Sequence, residues 1–204
     1  MSQARRRLLW HRAAFAAAVF ALASPASDAA ESPAPVKNAD HLVATGNPKA
    51  TEIELRNAIQ QSPQDPLLRG QLARVYLQLG DPISAEREAR AARDRNGKEA
   101  DYLPVLLDSM VRQGKFSDLA ELVKPGNRAP ALESKVRLAL GIAATGLHDR
   151  VKAEAMLSDA VRLDPSALAP KITLARTLAA TNPAEASKLL DQALAVDPRS
   201  IEAL

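Results

Sequence analysis

Apolar residues between positions 66 and 94 recur at intervals of three and four. Leu72, Val75, Tyr76 and Leu79 form one stripe, and Ala85, Ala89 and Ala92 form a second. That spacing puts each set on one face of an α-helix. The pattern then repeats along the chain with a period of 34 residues. Leu72, Leu106, Leu140 and Leu174 make one column, and Ala73, Leu107, Gly141 and Ala175 the next. Tyr76, Met110, Ala144 and Leu178 make a third. Thr51, Ala85, Leu119, Ala153 and Ala186 follow the turns, and Ala58, Ala92, Ala160 and Ala193 stand seven residues further on. Turn residues keep the same period at Gly46, Gly80, Gly114 and His148, with one step of 33 to Thr181. Units close at Pro63, Pro165 and Pro198. So many columns at one period indicate a repeat architecture, each unit a pair of helices.

Local chemistry sets the expected boundaries. Asn47, Asp65, Asp81 and Asn182 each precede a proline. A short polar side chain there accepts from orphan N–H groups, and proline suits the first helical position because it has no N–H to leave unsatisfied. Gly46, Gly80 and Gly114 stand where a left-handed residue ends a helix, and at the corresponding His148 turn Gly146 is expected to share the work. The helices predicted are 38–45, 48–61, 66–79, 82–95, 102–113, 116–124, 131–146, 149–163, 167–180 and 183–196. Glu52–Arg56 and Glu86–Arg90 read as i,i+4 pairs on solvated faces. Pro125-Gly126 should cut one second helix short. Leu189, Leu190, Ala193 and Leu194 are expected to lack a cover, because no polar capping helix follows them. The sequence therefore reads as a truncated longer array, or as one whose open end docks on a partner.

Composition supports an all-α class. Of 204 residues 47% are hydrophobic but only 3% aromatic, with alanine and leucine in the apolar columns. Closely packed helices fit this better than a β-sandwich. The isoelectric point near 9.3 is a property of the N-terminus. Arg5, Arg6, Arg7 and Arg12 against the single Asp28 give residues 1–29 a net charge of +3, the whole-chain value, so residues 30–204 sum to zero. A neutral body lacks the footprint that nucleic-acid binding needs.

The same N-terminus reads as a signal peptide over 1–29. A basic start precedes the 11 apolar residues Ala13–Ala23, and Ser24-Pro25-Ala26 and Ser27-Asp28-Ala29 are alternative cleavage sites. Eleven residues fall short of the roughly 20 needed to cross a bilayer. Residues 30–37 read as a flexible linker and 38–204 as the repeat array, about four and a half units. The expected location is periplasmic or secreted, with membrane contact only through an uncleaved leader or a partner. Cysteine is absent, which excludes disulfides, thiolate chemistry and attachment through a lipidated cysteine.

A 34-residue helix pair with Leu72, Ala73, Tyr76, Gly80, Asp81, Ala85 and Ala92 resembles the tetratricopeptide repeat (TPR), as do Gly141, Ala153, Ala160, Asp164 and Pro165 in a later copy. The resemblance implies a TPR superhelix, an α-solenoid of stacked antiparallel helix pairs. Leu72, Ala73, Tyr76, Gly80, Ala85, Ala92, Gly114, Gly141, Ala153, Ala160 and Pro165 would be its structural positions. It also implies a concave face, lined by each unit's first helix, that binds a protein or peptide partner. On that geometry Arg74, Gln78, Asp108, Arg112 and Arg176 face inward, where arginines suit a carboxylate or a chain end. Glu54–Ile59, Leu72–Leu77 and Asp197–Leu204 are further similar to exported TPR proteins of the exosortase (PEP-CTERM) and exopolysaccharide system, although those proteins are usually longer lipoproteins.

No catalytic arrangement competes with this. His41 and His148 have no neighbours at metal-ligand spacing, and there is neither a nucleophile elbow nor a glycine-rich phosphate loop. The sequence therefore reads as a non-catalytic protein–protein interaction scaffold of the cell envelope with no cofactor and no metal, serving sorting or exopolysaccharide export. The alternative is a structural spacer that docks through its C-terminal end.

Overall fold

A computed structural model describes residues 47–201. The expectations for the leader, the linker, a helix at 38–45, His41, Gly46 and the last three residues lie outside the described residues. Nine helices are present among those described, and the fold is an all-helical repeat solenoid. They are α1 (Pro48–Gln61), α2 (Pro66–Gln78), α3 (Pro82–Asp94), α4 (Glu99–Arg112), α5 (Phe116–Leu122), α6 (Pro130–Gly146), α7 (Arg150–Leu163), α8 (Leu168–Leu178) and α9 (Pro183–Val196).

Neighbouring helices pack in chain order, and each of α2, α4 and α6 also touches the helix two further on. The first helices α2, α4, α6 and α8 therefore lie against one another in succession, with α1, α3, α5, α7 and α9 behind them. Small residues at the repeating columns permit this close stacking. Ala73, Ala85, Ala153 and Ala160 are fully buried, with Ala58 and Ala92 at 1% exposure. Leu72, Leu106, Leu140 and Leu174 are buried along the first helices. Tyr76 is only half-buried, and its hydroxyl reaches Glu52 at 3.4 Å. Burial pushes the Tyr76 hydroxyl's pKa up, and the Glu52 charge adds to it. At Gly141 the backbone of α6 meets α7 so closely that a Cβ would fall 2.6 Å from the Leu157 Cγ.

Caps fix most helix starts. Asn47 accepts from the Ala50 N–H at 3.1 Å, Asp65 from Leu67 at 2.8 Å, Asp81 from Ser84 at 3.0 Å and Asn182 from Glu185 at 3.2 Å. Asp149 does the same for α7, accepting from Lys152 at 3.1 Å. Three first helices, α4, α6 and α8, start at Lys98, Ala129 and Ala167 with no side-chain cap. There α4 begins at Glu99, three residues earlier than the sequence suggests, and carries Pro104 inside it.

The turns between paired helices share one closure. After α2 the Asp81 N–H donates to the Tyr76 carbonyl at 2.8 Å, and after α4 Lys115 donates to Met110 at 3.0 Å. The residues that must turn left-handed are Gly80 (φ 77°) and Gly114 (φ 67°). After α6 it is His148 itself (φ 61°), with Asp149 donating to Ala144 at 2.9 Å. Gly146 does not share the turn, contrary to expectation. It ends α6 in helical geometry, and a Cβ there would strike the Phe116 ring at 2.2 Å. After α8 both Thr181 and Asn182 donate to the Leu178 carbonyl, a tighter closure that accounts for the step of 33.

Three buried carboxylates, Glu86, Glu88 and Glu133, correct the view that the charges sit on solvated faces. Glu86 on α3 is 6% exposed and accepts from Lys115 at 2.6 Å, Arg90 at 2.8 Å and Gln113 at 2.8 Å. Burial pushes its carboxyl up in pKa, but these hydrogen bonds outweigh burial and hold it below the ordinary glutamate value. Glu133 on α6 is 2% exposed and accepts from the Gly126 N–H at 2.9 Å, Arg128 at 3.1 Å and Arg137 at 3.1 Å. Arg137 also pairs with Asp159 on α7, and Arg128 with Glu99 at 2.9 Å. The last pair of helices is better covered than the sequence implies. Leu189 and Ala193 are buried and Leu190 and Leu194 half-buried, because α8 supplies Leu168, Ile172, Leu174 and Ala175.

Candidate groove along the first helices

Where α4 and α6 meet, the side chains leave a cavity of about 270 Å³, lined mainly by Pro104, Leu107, Val111, Leu138 and Ile142. Asp108 and Lys135 stand at its edge. A second cavity of about 480 Å³ shares Val111 and Ile142 and extends to α8. Phe116, Gly146, Thr173 and Arg176 complete its wall. The absence of a side chain at Gly146 is what lets the Phe116 ring lie against α6. A third cavity of about 330 Å³ continues from Thr145, Arg176 and Thr177 to His148 and Arg150. The three share residues in series, so an apolar channel along the first helices leads into a basic end.

The five groove positions read from the sequence occupy different settings. Asp108 and Arg112 lie within one turn of each other and pair at 3.1 Å. The hydrogen bond from Arg112 to Asp108 holds the guanidinium pKa above its ordinary value. This pair therefore partly neutralises itself. Arg176 is exposed, lines two of the cavities and makes no ion pair among the described residues. Arg74 and Gln78 are exposed on α2 and line none of these three cavities.

The sequence reading did not name Lys135, Ile142, Phe116, His148 or Arg150 for the groove. A signal existed for one of them. Arg74, Asp108, Ile142 and Arg176 form a single 34-residue column, so the apolar member should face the same way as its charged counterparts. Phe116 carried no such signal, because it reaches the groove from α5 through the space left at Gly146. The floor is helical backbone with satisfied groups: the Thr145 hydroxyl donates to Gly141 and the Thr177 hydroxyl to Thr173. Nowhere among the described residues do three His, Asp or Glu side chains converge as a metal site would require.

A model of the tetratricopeptide repeat family matches residues 42–106. The match spans α1, α2, α3 and the first half of α4. No curated protein matches the chain. Among solved structures, a thermophilic TPR protein of Thermus thermophilus is 24% identical with a TM-score of 0.63, covering 83% of this chain and 93% of its own. A MamA fragment from Desulfovibrio magneticus is 16% identical with a TM-score of 0.64, covering 84% and 99%. PilF of Pseudomonas aeruginosa is 18% identical with a TM-score of 0.67, covering 80% and 75%. Residues 42–106 thus match the tetratricopeptide repeat family, and the chain shares the fold of these solved structures.

Proposed function

We propose that this protein is a non-catalytic scaffold of the cell envelope that holds a peptide or protein partner along its first helices. The observation that carries the reading is the run of joined cavities between α4, α6 and α8, apolar along its length and basic at one end. Concave sites with an apolar lining and a few placed polar groups are the usual form of a binding surface. Placement in the envelope rests on the leader-like residues 1–29, and a service in protein sorting or exopolysaccharide export rests on the sequence resemblance alone. No described helix is long and apolar enough to cross a membrane.

Photo-crosslinking in the source cell tests the binding surface. A crosslinking residue at Ile142, in the groove, is compared with one at Ile83, which is 68% exposed on α3. The groove reading expects a discrete adduct from position 142 and none from 83. Adducts confined to a probe at Val196 or Ile201, both exposed near the C-terminal end, would favour a spacer docked through that end. Fractionation of a tagged chain tests location. The expected product is shortened by about 29 residues, the leader length read from the sequence, and found outside the cytoplasm.

A further inference from the structure

We infer that a cavity on the far side of α2 from the groove binds a small organic monocarboxylate: Arg69 and Arg87 hold the carboxylate, and Ile59, Leu72 and the Tyr76 ring take its apolar body. The site is separate from the groove. At about 100° per residue, Arg69, Leu72 and Tyr76 share one face of α2, and Arg74 and Gln78 lie on the opposite one. Helix α1 adds Arg56, and α3 adds Arg87 and Glu88, around a volume of about 230 Å³.

A second arginine in the repeat shows the complete arrangement. Arg69 and Arg137 stand two 34-residue periods apart, at equivalent places on first helices. Each donates from Nη1 to a carboxylate of the following helix, Arg69 to Glu88 at 2.8 Å and Arg137 to Asp159. Arg137 also donates from Nε to Glu133 at 3.1 Å. The counterpart of Glu133 is Asp65, whose carboxylate caps α2 at the Leu67 N–H instead. The Nε–Nη2 edge of Arg69 therefore makes no hydrogen bond among the described residues, although Nε is buried. A buried donor without an acceptor is costly, and a carboxylate on that edge supplies what Glu133 gives Arg137.

Charge limits the ligand to one negative group. Arg56, Arg69 and Arg87 bring three positive charges against Glu88 and the neighbouring Glu52, leaving one in excess. Arg87 spends only Nε on Glu88, at 3.2 Å, and its side chain is 64% exposed, so both terminal nitrogens can turn to an anion. A doubly charged phosphate would overshoot that excess beside the buried Glu88, and a monocarboxylate balances it. The volume equals roughly seven waters at about 30 Å³ each, which suits an acid the size of benzoate. The Tyr76 ring offers its body a stacking face.

The test titrates sodium benzoate, benzamide and inorganic phosphate into the full chain, followed by NMR of the arginine Nε–H groups and of the Ile59 and Leu72 methyls. Benzoate should saturate shifts at Arg69 and Ile59 and bind roughly tenfold or more tighter than benzamide, the worth of a charge-assisted hydrogen bond. Arg87→Gln should weaken benzoate about tenfold with an unchanged circular dichroism spectrum, since that side chain is exposed. Arg69→Lys keeps a charge beside Glu88 but removes the fork, and should abolish the preference for benzoate over benzamide. Ile142→Trp, in the groove, should change neither affinity, so the two sites succeed or fail separately. Equal binding of benzoate and benzamide, or no saturable shift with benzoate, would overturn the inference. Phosphate binding tighter than benzoate, or benzoate shifts centred on Val111 and Ile142, would overturn it as well.

Discussion

The second helices α3 and α5 occupy equivalent places in adjacent repeats and are held by different physics. Helix α3 runs 13 residues and buries Ala85, Ala89 and Ala92 against its neighbours. Helix α5 stops after seven and buries Leu119, with Val123 just beyond its end. At the position equivalent to Ala92 stands Gly126, whose N–H donates to the buried Glu133 carboxylate instead of continuing a helix. Arg128 then spans Glu133 and Glu99, tying the segment after α5 to both α6 and the start of α4. Helix α3 adds the buried Glu86 and Glu88 to an alanine seam, whereas α5 loses most of that seam before the proline and is followed by a buried charge cluster. The lesson is that a helical repeat keeps its spacing through a broken unit when polar groups that the break exposes find fixed partners.

That comparison breaks most sharply at Glu133. Glu133→Ala breaks two buried ion pairs, leaves Arg128 and Arg137 with one carboxylate each and the Gly126 N–H without its acceptor, and should cost about 3–5 kcal/mol in denaturant unfolding. Loss of under about 1 kcal/mol would mean the segment after α5 needs no clip. The apolar column offers a smaller, two-sided check. Ala85 and Leu119 are equivalent and both fully buried. Leu119→Ala should leave a cavity under α5 worth about 2–4 kcal/mol. Ala85→Leu should overpack α3 by roughly 1–3 kcal/mol. If Ala85→Leu were neutral, the tight α2–α3 seam would be misread.

Acid titration sharpens the comparison at the buried Glu86. The Glu86 pKa lies below its ordinary value of 4.5 in the folded protein, so folding favours its ionised form. Its contribution is therefore full above the unfolded pKa and disappears as pH falls through the lowered folded one. Glu86→Gln should flatten the stability-against-pH curve on the acid side of about pH 4.5, relative to the parent. An unchanged acid slope would contradict the account. The smallest effect is expected at the third turn. His148→Gly removes the strain of a left-handed non-glycine residue and should raise stability by roughly 0.5–1 kcal/mol, seen as a higher melting temperature.

Most of the helix plan was legible because its signals are local. Asn47, Asp65, Asp81 and Asn182 announce helix starts one residue away, and the alanine columns repeat visibly. The start of α4 was misjudged for the same reason: Lys98 offers no cap, and Pro104 sits inside the helix where it argues for a break. The carboxylate clusters were invisible, since Glu86 meets Lys115 and Arg137 meets Asp159 only after the helices stack. The i,i+4 spacing of Glu86 and Arg90 looked like an ordinary surface pair. In the groove, the charged members of a column attracted notice and the apolar Ile142 beside them did not. His148 read only as a turn residue, and its place in one cavity with Arg176 depends on how α8 packs.

The account's central claim is that the face made by successive first helices is where a partner sits. Methyl NMR of the full chain, titrated with a pool of randomised decapeptides, tests it most directly. The prediction is a set of shifts at Leu107, Val111, Leu138 and Ile142, with Ile53 and Ile83 on the second helices unmoved. Shifts concentrated at Ile53 and Ile83, with the groove methyls unchanged, would contradict it.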